Sequence, residues 1–288
     1  MTTALTLRNH DLWCEIKPEL GGCIAGLWLG DVPVLQSTRA VDLHSVRKSG
    51  SYPLVPFSNR VGHAQLQWQG TDRPLIKNFD PEPHAIHGVG WERPWAVLES
   101  TDTFAMLSYE HKADAAWPFD FDTSQVFKLS AGALEMTLSI TNQSQQAAPV
   151  GLGWHPYFAK RAGSSLHFHA TGRWEMGTDK LPTHREANTG LDVDPNQLTV
   201  DHCFEGWKGA VTLQDALLRT RITSSLSRLV VFTTPQRADI AIEPVSHVNN
   251  ALHMMATSGV TAAELGVVVL QPGETFSCDM RIDVERAQ

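Results

Sequence analysis

A histidine set among large aromatic residues is the first group in this sequence with the chemistry of a catalyst. Residues 151–158 read Gly-Leu-Gly-Trp-His-Pro-Tyr-Phe, so His155 follows Trp154 and precedes Tyr157. Imidazole titrates near neutral pH and can give or take a proton, and aromatic rings can stack on the apolar face of a sugar. The two glycines let the backbone bend and approach a ligand closely. The stretch suggests a proton donor facing a sugar, and it also fits a hydrogen-bonded packing histidine.

A glutamate at the end of an apolar run is the matching candidate for a base. Residues 239–244 read Asp-Ile-Ala-Ile-Glu-Pro, and Pro244 biases Glu243 towards extended geometry. A carboxylate that emerges from a buried strand has a raised pKa unless it is hydrogen-bonded. Such a group suits a general base near neutral pH. The alternative is an ordinary glutamate on the surface at the end of a strand.

Three further polar residues lie where the chain turns. Arg60 follows Asn59 directly after a segment stiffened by two prolines, and its planar fork of donors can clamp a substrate oxygen. Asp201 stands just before apolar residues, and His87 lies in the proline- and glycine-rich loop 80–95. His84 and His87 are three residues apart, but no thiolate or carboxylate accompanies them at ligand spacing. We therefore predict no metal site and no cofactor. Arg60 can equally be a surface residue that closes a loop.

Strands must position these residues, because helical periodicity is almost absent. The best alternation runs through residues 132–142, where Leu134, Met136 and Leu138 share one face. Fifteen or more short strands separated by turns predict an all-β fold, a large antiparallel β-sandwich with less than a tenth of its residues in helix. Residues 182–200 are predicted to be a long polar connection, and Asn249 or Asn250 to cap one short helix. We find no linker, so residues 1–288 are predicted to form a single domain.

Composition excludes several classes of partner. The 288 residues are 42% hydrophobic and 19% charged, with a formal net charge of -8. No run of lysines or arginines occurs, so neither nucleic acid nor a membrane is an expected partner. The four cysteines form no CxxC pair, which argues against a zinc ribbon and a disulfide framework. No leader-like start and no apolar stretch of membrane length is present, so we expect a soluble cytoplasmic protein, monomeric or homodimeric.

Eight short segments together resemble the aldose 1-epimerase (galactose mutarotase) family. They occur in the family's order and cover the chain almost end to end. Each segment is weak alone, and eight in register are a strong signal. The segments are Pro18–Gly22, Pro56–Arg60, His87–Gly88 with Trp91 and Trp95, Trp117–Phe119, Gly153–Phe158, Asp201 with Phe204, Ile242–Pro244 and Leu270–Glu274.

The resemblance implies a galactose mutarotase-like supersandwich that interconverts the α and β anomers of an aldose, with a hexose favoured. Carried over by position, Glu243 is the base on the anomeric hydroxyl, His155 the acid on the ring oxygen, and His87 an assisting or orienting group. The resemblance further implies that the sugar is held by Arg60, Asp201, Asn59, Trp154 and Tyr157, and Trp91 is another ring that can stack on it.

The same resemblance leaves the sugar open. The best-known galactose mutarotases have Asn-His-Ser/Thr-Tyr-Phe where this chain has Gly-Trp-His-Pro-Tyr-Phe, which places it in a divergent branch. Relatives that act on hexose 6-phosphates use additional arginines, for which this chain offers Arg39, Arg47 and Arg93. Two other functions stay open: a glycosidase that uses Glu243 and Asp201 as its two carboxylates, and a non-catalytic sugar-binding protein on the same fold.

Overall fold

Strands make up most of the chain. The computed structural model describes residues 4–287, with 51% of the residues in strands and 7% in helices. Every ladder between strands is antiparallel. These observations confirm the predicted all-β antiparallel class and the predicted low helix content. No helix within residues 4–287 is both long and apolar enough to cross a membrane.

From residue 4 to the middle of the chain, the structure has sixteen strands and three single 3₁₀ turns, at Val46–Lys48, Gly62–Ala64 and Gly90–Glu92. The strands are β1 Leu5–Asn9, β2 Leu12–Lys17, β3 Cys23–Leu29, β4 Val32–Pro33, β5 Pro53–Leu54, β6 Arg60–Val61, β7 Gln65–Trp68, β8 Thr71–Pro74, β9 Ala85–Ile86, β10 Ala96–Ser100, β11 Phe104–His111, β12 Phe121–Ser130, β13 Ala133–Asn142, β14 Ala148–Val150, β15 Gly153–Trp154 and β16 Tyr157–Ala159.

The second half adds eleven strands and two short helices. They are β17 Ser165–His169, β18 Gly172–Met176, β19 Pro182–Ala187, β20 Gly190–Val193, β21 Val200–Glu205, β22 Ala210–Gln214, β23 Leu218–Ser224, β24 Arg228–Thr233, β25 Asp239–Val245, α1 Ala251–Thr257, α2 Ala262–Leu265, β26 Val268–Leu270 and β27 Thr275–Arg286.

Two large sheets form the body of the molecule. One has nine strands in the order β10-β11-β12-β13-β27-β23-β22-β17-β20, and the other runs β19-β18-β21-β24-β25-β15-β5 with β16 also paired to β25. The rings of Phe168 on β17 and Phe204 on β21 meet edge to face with centroids 5.0 Å apart, so inner faces of the two sheets touch. A four-stranded sheet, β1-β2-β3-β4, and three two-stranded ladders complete the fold.

Alternation explains how the large sheets bury their cores. On β13 the residues Leu134, Met136, Leu138 and Ile140 are buried, and the residues between them are half-exposed. Period-two patterning of this kind places one face against the core and one against water. β25 differs, because all seven of its residues are buried. Both of its edges are also paired, with β24, β15 and β16. A polar residue on β25 is therefore buried whichever face it occupies.

One local prediction was wrong, and a second was right in its helix and cap position but not in the capping hydrogen bond. Residues 182–200, predicted to be a polar connection, contain β19 and β20, which are edge strands of the two large sheets. Their side chains are mostly exposed, so no apolar alternation marks them. The helix near Asn250 exists as α1, but the Asn250 side chain does not cap it. The Asn250 Oδ1 instead accepts a hydrogen bond from the Gly62 amide at 2.7 Å and ties α1 to the end of β6.

Candidate active site

His155 and Glu243 face each other because of strand register. β15 pairs with β25 at Gly153, and β16 pairs with β25 from Tyr157 onward. Both registers place position 155 opposite position 243. His155 Nε2 lies 3.3 Å from Glu243 Oε1, and the two side chains are 7% and 3% exposed. Among the described residues, Glu243 Oε2 and His155 Nδ1 find no hydrogen-bond partner.

Burial disfavours the charge on both members of this pair. It raises the pKa of Glu243 well above the usual range, with a smaller push from Asp201 and an opposing pull from Arg60. It lowers the pKa of His155 to about 3. Burial therefore favours the uncharged form of each group. Two titratable groups shifted in opposite directions at one place are a hallmark of acid–base sites.

His87 and Tyr52 form the wall beside His155. The His87 ring meets the His155 ring edge-on at a centroid distance of 5.1 Å, and the Tyr52 ring lies 4.8 Å from His155. His87 has a φ of 62° and its amide donates to the Asn59 carbonyl at 2.8 Å. Burial, with help from nearby His155, lowers the pKa of His87 well below its usual value. Burial thus favours the neutral form of His87, which lines the same pocket as His155.

Arg60, Asn59 and Asp201 lie on the same pocket as the acid–base pair. Arg60 begins β6, and the Oδ1 of Asn59 accepts a hydrogen bond from the Arg60 amide at 3.0 Å. Asp201 lies on β21, which is joined to β25 through β24. Burial raises the pKa of Asp201, and the charge of Arg60 opposes that shift.

The pocket that these groups share has a volume of about 280 Å³. A larger groove of about 440 Å³ lies on the outer face of the nine-stranded sheet, but charged residues such as Glu135 and Arg281 pair with each other there. The smaller pocket is lined by eight of the residues singled out in the sequence: Arg47, Asn59, Arg60, His87, His155, Tyr157, Asp201 and Glu243. It is the candidate active site because buried titratable groups converge on it.

Trp154 is the exception among the predicted sugar-binding residues. It is 1% exposed and does not line the pocket. Successive residues of an extended chain point to opposite faces, so placing His155 towards the pocket turns its neighbour into the core. Trp91 is likewise outside the lining and stacks behind Tyr52 with centroids 5.5 Å apart. The structure therefore leaves both Trp154 and Trp91 outside the pocket in which the sequence analysis expected them to contact a sugar.

Only one of the three candidate phosphate-binding arginines lies at the pocket. Arg47 lines it and places its guanidinium 3.9 Å from the Phe79 ring centroid. Arg39 pairs with Glu15, and Arg93 pairs with Asp114 on the surface, so both are used elsewhere.

Sequence reasoning missed half of the pocket lining. The additional residues are Tyr52, Phe79, Glu82, Ile86, Lys180, Phe232 and Arg237. Several of them are charged residues in loops and turns, where such residues are common, so residue type alone offered no signal. Tyr52 begins the proline-stiffened segment before Arg60, and that position was the one hint of its place at the site. Within residues 4–287, no three His, Cys, Asp or Glu side chains are grouped so that they could hold a metal ion.

Comparison with known proteins agrees with the fold. A family model described as aldose 1-epimerase matches residues 3–283. The uncharacterized protein YphB of Escherichia coli K12 is 28% identical, and the alignment covers 98% of this chain and 99% of YphB. The uncharacterized protein YihR of the same organism is 26% identical over 69% of this chain and 70% of YihR.

Solved structures show the same architecture. A crystal structure of an Escherichia coli K12 protein provisionally named an aldose 1-epimerase has a TM-score of 0.88 and 25% identity, covering 99% of both chains. A galactose mutarotase-like protein of Clostridium acetobutylicum has a TM-score of 0.86 and 18% identity, covering 99% of this chain and 95% of that one. These similarities confirm the predicted galactose mutarotase-like fold.

Proposed function

The chain belongs to the aldose 1-epimerase family, and we propose that it interconverts the α and β anomers of an aldose with Glu243 as base and His155 as acid. The observation that carries this proposal is the 3.3 Å approach of His155 Nε2 to Glu243 Oε1 at the wall of a polar pocket. The hydroxyl and the ring oxygen that exchange protons in mutarotation are bonded to one carbon. An acid and a base that serve them must therefore lie close together.

The proposed reaction is a paired proton transfer. Glu243 takes the proton of the anomeric hydroxyl while His155 gives a proton to the ring oxygen, and the bond between that oxygen and C1 breaks. Rotation about C1–C2 turns the other face of the aldehyde towards the ring hydroxyl. Reclosure then returns both protons, so both side chains end the cycle as they began and no cofactor is consumed. Each positioned group of this kind contributes roughly 10²–10⁴-fold.

The pKa shifts are compatible with this cycle. Ring opening starts from carboxylate and imidazolium and ends with carboxylic acid and imidazole, and these two forms differ only in where one proton sits. Burial favours the uncharged form of the pair, while a hemiacetal that donates to one group and accepts from the other favours the charged form. With one proton shared between the two side chains, the pair can begin the reaction from either anomer, as expected for a reversible isomerase.

The remaining pocket residues supply binding. The free guanidinium donors of Arg60 and the carboxylate of Asp201 suit sugar hydroxyls. The Asn59 side chain accepts a hydrogen bond from the Arg60 backbone amide and so steadies Arg60. His87 is a neutral hydrogen-bonding group beside the ring-opening site. Tyr157 lies next to His155, with its hydroxyl 3.5 Å from Nε2, and presents a ring to the sugar.

Two arginines mark the end of the pocket beyond Tyr157. Arg237 lies over the Tyr157 ring at 5.7 Å from its centroid, and Arg47 lines the pocket on that side as well. A second cavity adjoins the pocket there and shares these three residues. The substrates to test therefore include anionic aldoses beside neutral hexoses. We propose a small-molecule aldose as the partner and a monomer or homodimer as the working form.

Polarimetry tests this function. Pure anomers of neutral, phosphorylated and sulfonated aldoses are dissolved, and the decay of optical rotation is compared with the buffer blank. The expected result is accelerated decay for at least one sugar. Sugar binding without acceleration across the whole panel would show a non-catalytic sugar-binding protein instead. Cleavage of a glycoside that stops in the Glu243→Gln variant would show a glycosidase that pairs Glu243 with Asp201.

A further inference from the structure

We propose that Glu82 is a positioning residue of this site: it holds Arg60 in the orientation that serves the sugar and keeps the Arg60 charge away from the base Glu243. The inference rests on the proposed function for its kinetic test, but not for its structural one. Glu82 lies in the loop between Phe79 and β9, and no step of the proton transfer described above uses it.

Glu82 occupies one edge of the Arg60 guanidinium. Arg60 Nε donates to Glu82 Oε2 at 2.7 Å, and Arg60 Nη2 donates to Glu82 Oε1 at 3.0 Å. This two-point pairing fixes both the position and the plane of the arginine fork. Arg60 and Glu82 are 8% and 9% exposed, so the pair is buried at the pocket wall. The opposite edge of the guanidinium, with Nη1, makes only a 3.4 Å contact with Asn59 Oδ1 and is left for a ligand.

A second cation ties Glu82 down. Lys180, from the turn before β19, also forms an ion pair with Glu82 Oε1. Burial by itself raises the pKa of Glu82, but the hydrogen bonds from Arg60 and Lys180 outweigh burial and lower that pKa to about 2. Glu82 is therefore fully ionised wherever the enzyme could work. It neutralises Arg60 without needing the substrate to do so.

The charge of Arg60 matters because the base is close. The titratable or charged groups that act on Glu243 are its neighbours Asp201, Arg60, His155, Tyr52, Tyr157 and Cys203. Arg60 is the cation that lowers the pKa of Glu243. Without the Glu82 carboxylate, Arg60 would turn to the pocket carboxylates on which its charge already acts, Asp201 and Glu243. An arginine paired directly with a carboxylate lowers its pKa by about 1–3 units.

The Glu82→Gln variant tests the proposal. In a crystal structure of this variant, Arg60 should have moved towards Asp201 or Glu243. The Glu243 carboxyl should titrate about one pH unit lower or more. That titration is followed by ¹³C NMR of labelled glutamate carboxyls, assigned with the Glu243→Gln variant. In polarimetry, the acidic limb of the pH–rate profile should shift down by the same amount, and KM should rise about tenfold because a sugar contact is lost.

Two further variants separate positioning from general stability. Glu82→Asp keeps the charge and should restore the acidic limb of the profile while KM stays raised, because the shorter side chain cannot make both hydrogen bonds. Glu15→Gln is the matched control: Glu15 is 5% exposed and bound by Arg39 and the Ala40 amide, away from the pocket. It should lower the melting temperature without moving the Glu243 titration or the pH–rate profile.

The outcomes are distinct. A folded Glu82→Gln protein with Arg60 in its wild-type place and an unchanged Glu243 titration would overturn the proposal. If Glu82→Gln does not fold, Glu82→Asp provides the test instead. This variant keeps the charge, so an acidic limb that moves down as far as expected for loss of the charge would overturn the proposal as well. If wild-type protein accelerates no anomer while Arg60 and the Glu243 titration still respond to Glu82, the proposed function fails and the positioning role stands.

Discussion

Burial shifts the pKa values of Glu243 and His155 in opposite directions, upward for the carboxyl group and downward for the imidazole. Exposed carboxylates titrate near pH 4, so they are weak bases at neutral pH. Sequestering Glu243 at the middle of a fully buried strand makes it a stronger base. The same burial makes the His155 imidazolium a stronger acid, so one physical effect improves both partners.

Replacing either residue tests this account directly. Glu243→Gln keeps the shape but removes the proton acceptor, and His155→Asn removes the titrating ring. Each should lower the anomer-interconversion rate by roughly 10²–10⁴-fold and leave sugar affinity within about tenfold. The double variant should be little slower than the slower single, because the two groups act as one unit. Polarimetry and calorimetric sugar binding measure the two effects, and a rate loss matched by an equal affinity loss would contradict the assignment.

At the scale of elements, the pocket depends on close backbone approach between loop 55–60 and loop 86–90. Val55 and Gly88 form an isolated parallel bridge, and the amide of Val89 also bonds to the Val55 carbonyl at 2.9 Å. Gly88 has a φ of +70°, and a Cβ there would clash with the Val55 carbonyl oxygen. This contact holds the neighbouring His87 against Tyr52, so a loop glycine sets the position of a pocket imidazole.

Gly88→Ala is therefore expected to destabilise the protein and displace His87. A residue other than glycine at positive φ costs about 1–2 kcal/mol, and the backbone clash adds to that. Gly70→Ala is the matched control, because Gly70 has a φ of +76° and a Cβ added there would meet no atom within 4 Å. Urea unfolding should show Gly88→Ala losing more free energy of unfolding than Gly70→Ala. Equal losses in the two variants would show that the close approach is unimportant.

At the scale of the whole molecule, the two large sheets share one core that extends from β1 to β27. Polar groups buried within it link distant segments. His247, which follows β25, accepts a hydrogen bond from the Ser58 amide at 3.1 Å through Nε2 and contacts the Val248 carbonyl at 2.7 Å through Nδ1. These partners fit a neutral ring, and burial lowers the pKa of His247 to about 4. We propose that residues 1–288 act as one domain for this reason.

Buried neutral histidines predict a loss of stability in acid. In the unfolded chain His247 takes up a proton below about pH 6.5, whereas in the folded protein it stays neutral to about pH 4. The unfolded state then binds more protons, so the free energy of unfolding falls as the pH drops through this window. His247→Gln should be less stable than wild type at pH 7, and its stability should fall less steeply between pH 6.5 and 4, by about 1.4 kcal/mol per pH unit. Urea unfolding across this range measures both slopes, and identical slopes would contradict the prediction.

The sequence by itself determined the fold class and named most of the candidate site residues. Period-two alternation depends only on which side chains are apolar, so the strands through residues 104–142 were predictable one by one. The family segments likewise put Glu243, His155, His87, Arg60 and Asp201 in view, because each lies in a short local motif. Edge strands β19 and β20 were missed since an exposed strand buries too few side chains to leave a pattern.

Only the tertiary structure decided which side chains reach the pocket. Trp154 and His155 are neighbours in sequence, yet strand geometry sends them to opposite faces, and only the pairing of β15 and β16 with β25 shows which face is which. Glu82, Lys180 and Arg237 come from separate loops and a turn, and their charges carry no local signature. Their roles arise from distances between segments far apart in the chain, and such distances exist only once the sheets have packed.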